Sequence, residues 1–325
     1  VAPAIVWQCR RTSDRCAELV RDGRSVDIRS RTGLQIDPYF SATKLEWLLD
    51  GNPSARRRAA NGELCFGTID SWLLYRLTGG REHATDITNA GRTMLLNIHD
   101  QSSEQPWDET LLDLFGVDES LLPEVKPSAG EFGVTDAAVL GAEIPIMGIA
   151  GDQHAALFGQ ACFRPGMAKC TYGTGAFILQ NTGSRAVHSD HGLLTTPAWQ
   201  LGGRRSFALE GSIFTTGATV QWLRDELGVI ADASETGPLA ESIPDNESVY
   251  LVPAFTGLGA PYWDPDARAA ILGLTRGSGA AQMARAALES TAYQVRDVLE
   301  VMSRDASKRP EGALRVDGGQ TVNGF

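Results

Sequence analysis

What the sequence lacks narrows its class. No apolar run approaches the ~18 residues of a membrane-crossing helix, so membrane insertion is not expected. Residues 1–7 are too short for the apolar region of a signal peptide and have no basic flank. An initiator methionine is missing too, so the chain is expected to be a fragment. Cysteine is sparse: Cys9, Cys16, Cys65, Cys162 and Cys170 are an odd set with no Cys-x-x-Cys or Cys/His ligand spacing. That disfavours a zinc module or a disulfide framework, and reduced thiols in a cytoplasmic protein are expected. Histidines are scattered; His154 follows Asp152, a weak basis for a metal site, and His188 and His191 lie in a polar loop. Basic charge is in deficit, with 29 Lys and Arg against 40 Asp and Glu, a net charge of -11 and a pI near 5.0. A nucleic-acid partner, which needs a basic face, is not expected. Neither a Gly-x-x-x-x-Gly-Lys-Ser/Thr loop nor a Gly-x-Gly-x-x-Gly helix start occurs, and no tandem repeat is visible.

What is present is an ordinary globular composition. The 325 residues are 42% hydrophobic and 21% charged, enough for two domains with cores. Acidity does not exclude ATP, because a small anion can be held by backbone amides and a divalent cation.

Read in order, the chain alternates helical and extended patterns. Residues 9–22 predict a helix, and 32–41 a loop, since Asp37 precedes Pro38. Ser41 is a candidate N-cap for a helix over 42–50, with Leu45, Leu48 and Leu49 as its apolar stripe and Gly51-Asn52-Pro53 as its stop. A helix over 66–77 has Thr68 or Asp70 as cap and ends at Gly79-Gly80. Residues 86–97 read as a polar loop with a short apolar strand, 101–106 as a surface insertion and 109–115 as a short helix. Arg56, Arg57 and Arg58 read as a solvated face. A buried strand is expected over 144–150, a hairpin over 167–180 and further strands over 192–210 with a Gly202-Gly203 turn. A helix over 214–227 carries Gly217 and Gln221 one turn apart. A buried strand over 248–253 precedes an aromatic, Gly/Pro-rich loop over 255–266, whose Trp263 reads as loop packing. The longest helix, 279–303, has Ala284, Leu288, Ala292, Val295, Leu299 and Met302 at helical spacing. A strand then ends at Gly318-Gly319, where another helix is about to begin.

Two stretches carry the chemistry. The apolar run ends in Gly151-Asp152-Gln153, an acid and an amide at the carboxyl edge of a strand, where ligands of open α/β sheets sit. Farther on, Gly173-Thr174-Gly175 makes a tight turn able to present N–H groups and a hydroxyl to an anion. Each is generic alone: Asp152 could be only a helix cap, and Gly-x-Gly hairpins are common. Their order, followed by the Gly217/Gln221 helix and the Gly318-Gly319 turn, suits phosphoryl transfer with nucleotide on one wall of a cleft and acceptor on the other. Trp7, Tyr39 and Phe177 read equally well as core aromatics or as walls of the acceptor site.

Several stretches together resemble the FGGY carbohydrate kinases, and among them those that phosphorylate glycerol. They are residues 5–12, 36–41, Gly151-Asp152-Gln153, 171–175, 253–264 and 315–319, with 39–48 and 273–277 also fitting the family pattern. The resemblance implies an α/β fold of two RNase H-like domains, of the actin/Hsp70/hexokinase ATPase type, with an active-site cleft between them. Residues 1–160 would be the partial N-terminal, substrate-binding domain and 161–325 the partial C-terminal, nucleotide-binding one, meeting near 158–166. The implied activity is transfer of the γ-phosphate of ATP to the 3-hydroxyl of glycerol with Mg²⁺. By the matching motifs Asp152 would be general base and metal ligand. Tyr39, Asp152 and Gln153 would bind glycerol hydroxyls, and Trp7 and Phe177 would wall its carbons. Thr174 would contact phosphates, and Gly217, Gln221, Gly319 and Asn323 would hold the nucleotide.

Departures from the family pattern concern the ends. A first glycine-rich phosphate hairpin, a metal-binding aspartate and an Arg-Glu pair that grips glycerol would precede Val1, and more chain would follow Asn323. The chain alone is therefore expected to be inactive and to expose apolar surface around Ile146 and Ile149. Glu143 stands where a fructose 1,6-bisphosphate-binding arginine would be, and 131–145 lacks a phosphorylatable histidine, so neither control is expected. Another FGGY kinase acting on a ketopentose or sugar acid, and a non-catalytic nucleotide-binding protein of this fold, are the alternatives. The sequence leaves open whether the intact protein forms a homo-oligomer.

Overall fold

The computed structural model describes residues 3–100, 106–306 and 312–325, so most of the expected surface insertion at 101–106 lies outside the described residues. The chain divides into two compact units: Val1–Ala155 with Gly183–His188 and Leu194–Ala208, and Ala156–Thr182 with Ser189–Leu193 and Leu209–Phe325. Both mix α and β structure.

The first unit opens with helices α1 (Ser13–Arg21), α2 (Ser25–Thr32), α3 (Ala42–Asp50), α4 (Pro53–Ala60) and α5 (Ile69–Leu77). Strand β1 (Ala84–Asp86), helices α6 (Ile87–Ala90) and α7 (Glu109–Phe115), and strands β2 (Glu124–Lys126) and β3 (Ala129–Val134) follow. Helix α8 (Ala137–Leu140) and strand β4 (Pro145–Gly148) lead into α9 (Asp152–Gly159), which begins in this unit and passes into the next. Strand β1 pairs in parallel with β2, and β3 antiparallel with β4.

Several local expectations change. Helix α1 starts at Ser13 rather than Cys9, because the Arg10 carbonyl accepts from both the N–H and the hydroxyl of Ser13 in a turn. Ser41 holds the N-cap position of α3, yet its backbone is already helical and its side chain makes no capping bond. Pro53 does more than stop α3. It opens α4, with the Asn52 side chain accepting from Ala55 N–H at 3.0 Å. The three arginines of α4 are exposed, as expected.

Strand β4 is not buried along its length. Ile146 and Ile149 pack on Leu74, Ala84 and Phe132, whereas Ile144 and Met147 are 51% and 58% exposed. Within the strand, Ile146 and Met147 leave opposite faces and only the Ile146 face is covered, while Ile144 and Ile149 lie just outside the strand's two ends.

In the second unit, β5 (Ala168–Tyr172) and β6 (Ala176–Gly183) form the expected hairpin, Ala168 opposite Gln180 and Tyr172 opposite Ala176. Strand β7 (Leu194–Leu201) lies in the first unit, and β8 (Arg204–Ile213) runs from the first into the second. Helices α10 (Gly217–Asp225) and α11 (Thr236–Glu241), strands β9 (Tyr250–Val252) and β10 (Ala270–Leu272), helix α12 (Ala280–Asp305) and strand β11 (Arg315–Asp317) complete the order. Strands β11, β5, β6 and β8 lie side by side in that sequence, with β11 parallel to β5.

Strand β9 is buried only at Leu251, while Tyr250 and Val252 face outward, because β10 is its sole strand neighbour among the described residues. In α12 the buried row runs through Ala284, Ala287, Val295, Val298 and Met302, and Ala292 is exposed. The helix rotates by 100° per residue, so a row drawn through Leu288 and Ala292 drifts off the packed face. Trp263 does pack in its loop: its ring N–H donates to the Gly192 carbonyl, and it stands nearly perpendicular to the Phe214 ring with centroids 6.0 Å apart.

Candidate functional site

The acid Asp152 sits at the first position of α9, just past the end of β4. It is exposed, and its carboxylate accepts from the N–H of Gln153 at 2.8 Å and from the Gln153 side-chain amide at 3.3 Å. The preceding carbonyl, Gly151, accepts from His154 and Ala155 N–H groups and so starts the helix. Acidic residues are favoured in such a first turn by the N–H groups pointing out of it. His154 itself is buried, with Nε2 3.0 Å from the Thr196 hydroxyl.

The main chain before Asp152 is held from below by a residue that sequence reading left in a polar loop. Asp86 is fully buried at the end of β1. Its carboxylate accepts from the Ser128 hydroxyl at 2.7 Å, the Thr88 hydroxyl at 2.8 Å, and the Asn89 N–H and side-chain amide at 3.0 and 2.9 Å. Burial pushes this carboxyl above the usual carboxylate range, against the opposing pull of those hydrogen bonds. The Thr88 hydroxyl in turn accepts from Gly151 N–H at 2.8 Å, and the Ser128 carbonyl accepts from Ile149 N–H at 3.1 Å.

Trp7 and Tyr39 also come together in the first unit, edge to face with ring centroids 5.5 Å apart. Trp7 is 37% exposed and Tyr39 partly so, which leaves both able to line a surface. Lys44 fixes their main chains: its buried ammonium donates to the carbonyls of Val6 at 2.9 Å, Trp7 at 3.4 Å and Tyr39 at 3.5 Å. Burial lowers the Lys44 pKa below the usual lysine value. Asp37, paired with Arg10 at 3.1 Å, accepts from Tyr39 N–H at 2.8 Å, and Arg92 lies over the Tyr39 ring at 5.1 Å.

The other predicted residues belong to the second unit. Thr174 is exposed at the hairpin tip, and Phe177 is partly buried on β6 opposite Thr171. The tip is fastened to α10: Gly217 N–H donates to the Gly173 carbonyl and Ala218 N–H to the Thr174 carbonyl, both at 3.1 Å. Gly217 is needed for that approach, since a Cβ there would stand 2.5 Å from the Gly173 oxygen. Gln320 is a residue that the sequence did not single out. Its amide donates to the Gly173 carbonyl at 2.7 Å and to the Thr216 hydroxyl at 2.8 Å, joining the tip to the turn after β11.

Gly319 begins a short 3₁₀ helix, Gly319–Val322, where the sequence stops on an incipient helix. A Cβ at Gly319 would meet no atom within 4 Å, so packing does not demand a glycine. Asn323 ends that turn and donates to the Thr236 hydroxyl at 3.1 Å. Gln221 is exposed on α10, one turn after Gly217.

Among the described residues, no group of three or more His, Cys, Asp and Glu could hold a metal by itself. Magnesium does not require such a cage, because one or two carboxylates with substrate phosphates suffice. The exposed Asp152 carboxylate fits that donor set. Among the described residues no helix is long and apolar enough to cross a membrane.

Residues 1–159 match the N-terminal domain of the FGGY family of carbohydrate kinases, and residues 168–325 match its C-terminal domain. Glycerol kinase 1 of Pseudomonas aeruginosa is 59% identical over 325 residues, covering 100% of this chain and 65% of its own length. The glycerol kinase of Symbiobacterium thermophilum is 59% identical over 322 residues, covering 99% of this chain and 64% of its own length. The chain thus spans just under two thirds of these relatives. A crystal structure of Plasmodium falciparum glycerol kinase with ADP superposes with a TM-score of 0.88 at 39% identity, over 99% of this chain and 63% of that one. A xyloylose kinase from Brucella ovis shares the fold at 23% identity, with a TM-score of 0.79 over 99% of this chain and 64% of its own. With both halves matched in order, the chain belongs to the FGGY family of carbohydrate kinases.

Proposed function

We propose that the chain is part of a cytoplasmic enzyme that phosphorylates glycerol from ATP, yielding sn-glycerol 3-phosphate and ADP. The observation that carries this is the 59% identity to a glycerol kinase across every residue of the chain. A ketopentose or sugar-acid kinase of the same family is the weaker reading, since the sugar kinases matched here agree at about the level of fold alone, 22–23% identity.

In this reading residues 1–160 are the acceptor side and 161–325 the nucleotide side. Trp7, Tyr39 and Phe177 bound the acceptor, and Asp152 and Gln153 hydrogen-bond its hydroxyls. Asp152 takes the proton of the 3-hydroxyl. That oxygen bonds to the γ-phosphorus, the bond from γ-phosphorus to the bridging oxygen breaks, and ADP leaves with the electron pair. Thr174 faces the phosphates, and Gly217, Gln221, Gly319 and Asn323 face the nucleoside end. Mg²⁺, held by Asp152 together with the phosphates, would offset their charge. Such catalysis is mostly positioning and electrostatics. The exposed tip Thr174 and the open space at Gly319 support this division of labour.

The test is acceptor choice. ADP release by the intact enzyme is expected to favour glycerol over D-xylulose by ~100-fold or more in kcat/KM, because a pocket fitted to a triol excludes a pentulose. Equal rates on the two would end the glycerol assignment.

A further inference from the structure

The hydrogen bonds beneath Asp152 are denser than a loop turn requires. Asp86 caps α6 through the Asn89 N–H, which accounts for one of its acceptor positions. Another takes the Asn89 side-chain amide, and the rest reach two hydroxyls that lie far apart in sequence and whose residues both meet the segment between β4 and α9. Through Ser128 the carboxylate is linked to Ile149 N–H, and through Thr88 to Gly151 N–H. Ser128 is itself fixed by Gln200, donating its N–H to the Gln200 carbonyl at 3.0 Å and accepting the Gln200 N–H on its hydroxyl at 3.2 Å. The two arms therefore grip the main chain three residues and one residue before Asp152. A carboxylate with no exposed surface is a costly way to hold a loop that ordinary backbone pairing could hold. Its oxygens accept from at least four separate donors, so the network is well satisfied and rigid.

We propose that Asp86 is a positioning residue: through Thr88 and Ser128 it fixes residues 149–151 so that the Asp152 carboxylate is presented at one place to the acceptor hydroxyl. This rests on the reading of Asp152 as the base. The side chain of Thr88 is the critical link, since its one hydroxyl donates to Asp86 and accepts from Gly151. Valine has the same shape and neither function.

The experiment is a double-mutant cycle in the intact enzyme, with single-turnover rates measured at saturating glycerol and ATP. Thr88→Val is expected to lower the rate roughly tenfold to a hundredfold, the usual cost of a misplaced reacting group. The KM for ATP should stay within about twofold, and Thr88→Ser, which keeps the hydroxyl, should recover the rate to within about threefold. In the Asp152→Asn background Thr88→Val should cost nothing more, because there is no base left to position. A purely structural role would lower the rate by the same factor in both backgrounds, and that additivity would overturn the proposal, as would a Thr88→Val enzyme with the wild-type rate. Should Thr88→Val fail to fold, Asp86→Asn enters the same cycle with the same expectations. Failure of the base reading is seen separately, in the Asp152→Asn enzyme alone: a rate within about tenfold of wild type would refute it whatever the Thr88 variants do.

Discussion

The strand end before Asp152 and the hairpin tip at Gly173–Gly175 are held by different means. In the first unit a buried side chain organises the holding: the Asp86 carboxylate fixes the Thr88 hydroxyl, which takes Gly151 N–H, and the Ser128 hydroxyl, whose residue takes Ile149 N–H on its main-chain carbonyl. In the second, main chain holds main chain, with N–H groups of α10 on the carbonyls of Gly173 and Thr174, and the Gln320 amide and Thr216 hydroxyl added on the Gly173 carbonyl. The first arrangement fixes the place of a single functional side chain. The second fixes a stretch of backbone and leaves Thr174 exposed at its tip. Side-chain support is thus expected where one proton must be taken at one point, and glycine-dependent backbone support where a large anion meets several N–H groups.

That contrast predicts its largest effect at Asp152. Asp152→Asn keeps size and hydrogen bonding but cannot accept the proton. Loss of a general base typically costs ~10²–10⁴ in rate, and at least ~10³ in kcat is expected, with little change in ATP affinity. Steady-state assays on the intact enzyme check it. A variant within about tenfold of wild type would make Asp152 a structural cap and dissolve the contrast.

Gly217→Ala strikes the second arrangement. The new Cβ would lie 2.5 Å from a backbone oxygen and 3.1 Å from the Gln320 amide nitrogen, so the hairpin tip must move away from α10. Overpacking of this kind costs about 1–3 kcal/mol. A lowered Tm together with a raised KM for ATP is expected, and an unchanged KM would detach the tip from nucleotide binding.

Gln320→Ala should be milder. It removes two donor contacts, to Gly173 and Thr216, while leaving the α10 N–H groups in place. Neutral hydrogen bonds contribute about 0.5–1.5 kcal/mol each, and a partly exposed site lets water replace some of that. Chemical denaturation should register a loss of about 1 kcal/mol, smaller than for Gly217→Ala. The reverse order would mean that the side chain, and not the helix start, fastens the tip.

How much of this was legible in the sequence depends on whether the signal was local. The hairpin, α3 and α12 carry turn residues and apolar spacing within their own spans, and they form close to where those signals lie. Helix α2 escaped notice because only Ile28 and Thr32 of its eight residues are buried, too few for a stripe. The exposed faces of β4 and β9 could not be foreseen, since a short apolar run does not say which of its faces will be covered. Asp152 and Gly173–Gly175 were visible as motifs. Asp86, Thr88 and Ser128 were not, because each is an ordinary loop residue until residues 42 and 63 positions apart meet. Gln320 is joined to Thr216 across 104 positions and was hidden for the same reason.

The finest discrimination lies at Gly319. Its neighbour Gly318 has a φ of +96°, and a Cβ there would fall 2.2 Å from the Tyr172 oxygen, so that glycine is explained by the fold. Gly319 is different: it is exposed, its φ is not in the left-handed region, and a Cβ would touch nothing. Gly319→Ala should therefore leave stability within about 0.5 kcal/mol, the range of ordinary surface changes. If the nucleotide passes close to this backbone, the added methyl meets the ligand instead of the protein. The KM for ATP should then rise severalfold while Tm and the KM for glycerol hold. A variant equal to wild type in all three would remove Gly319 from the nucleotide side, and one with a lowered Tm would show a packing role that the open space around it denies.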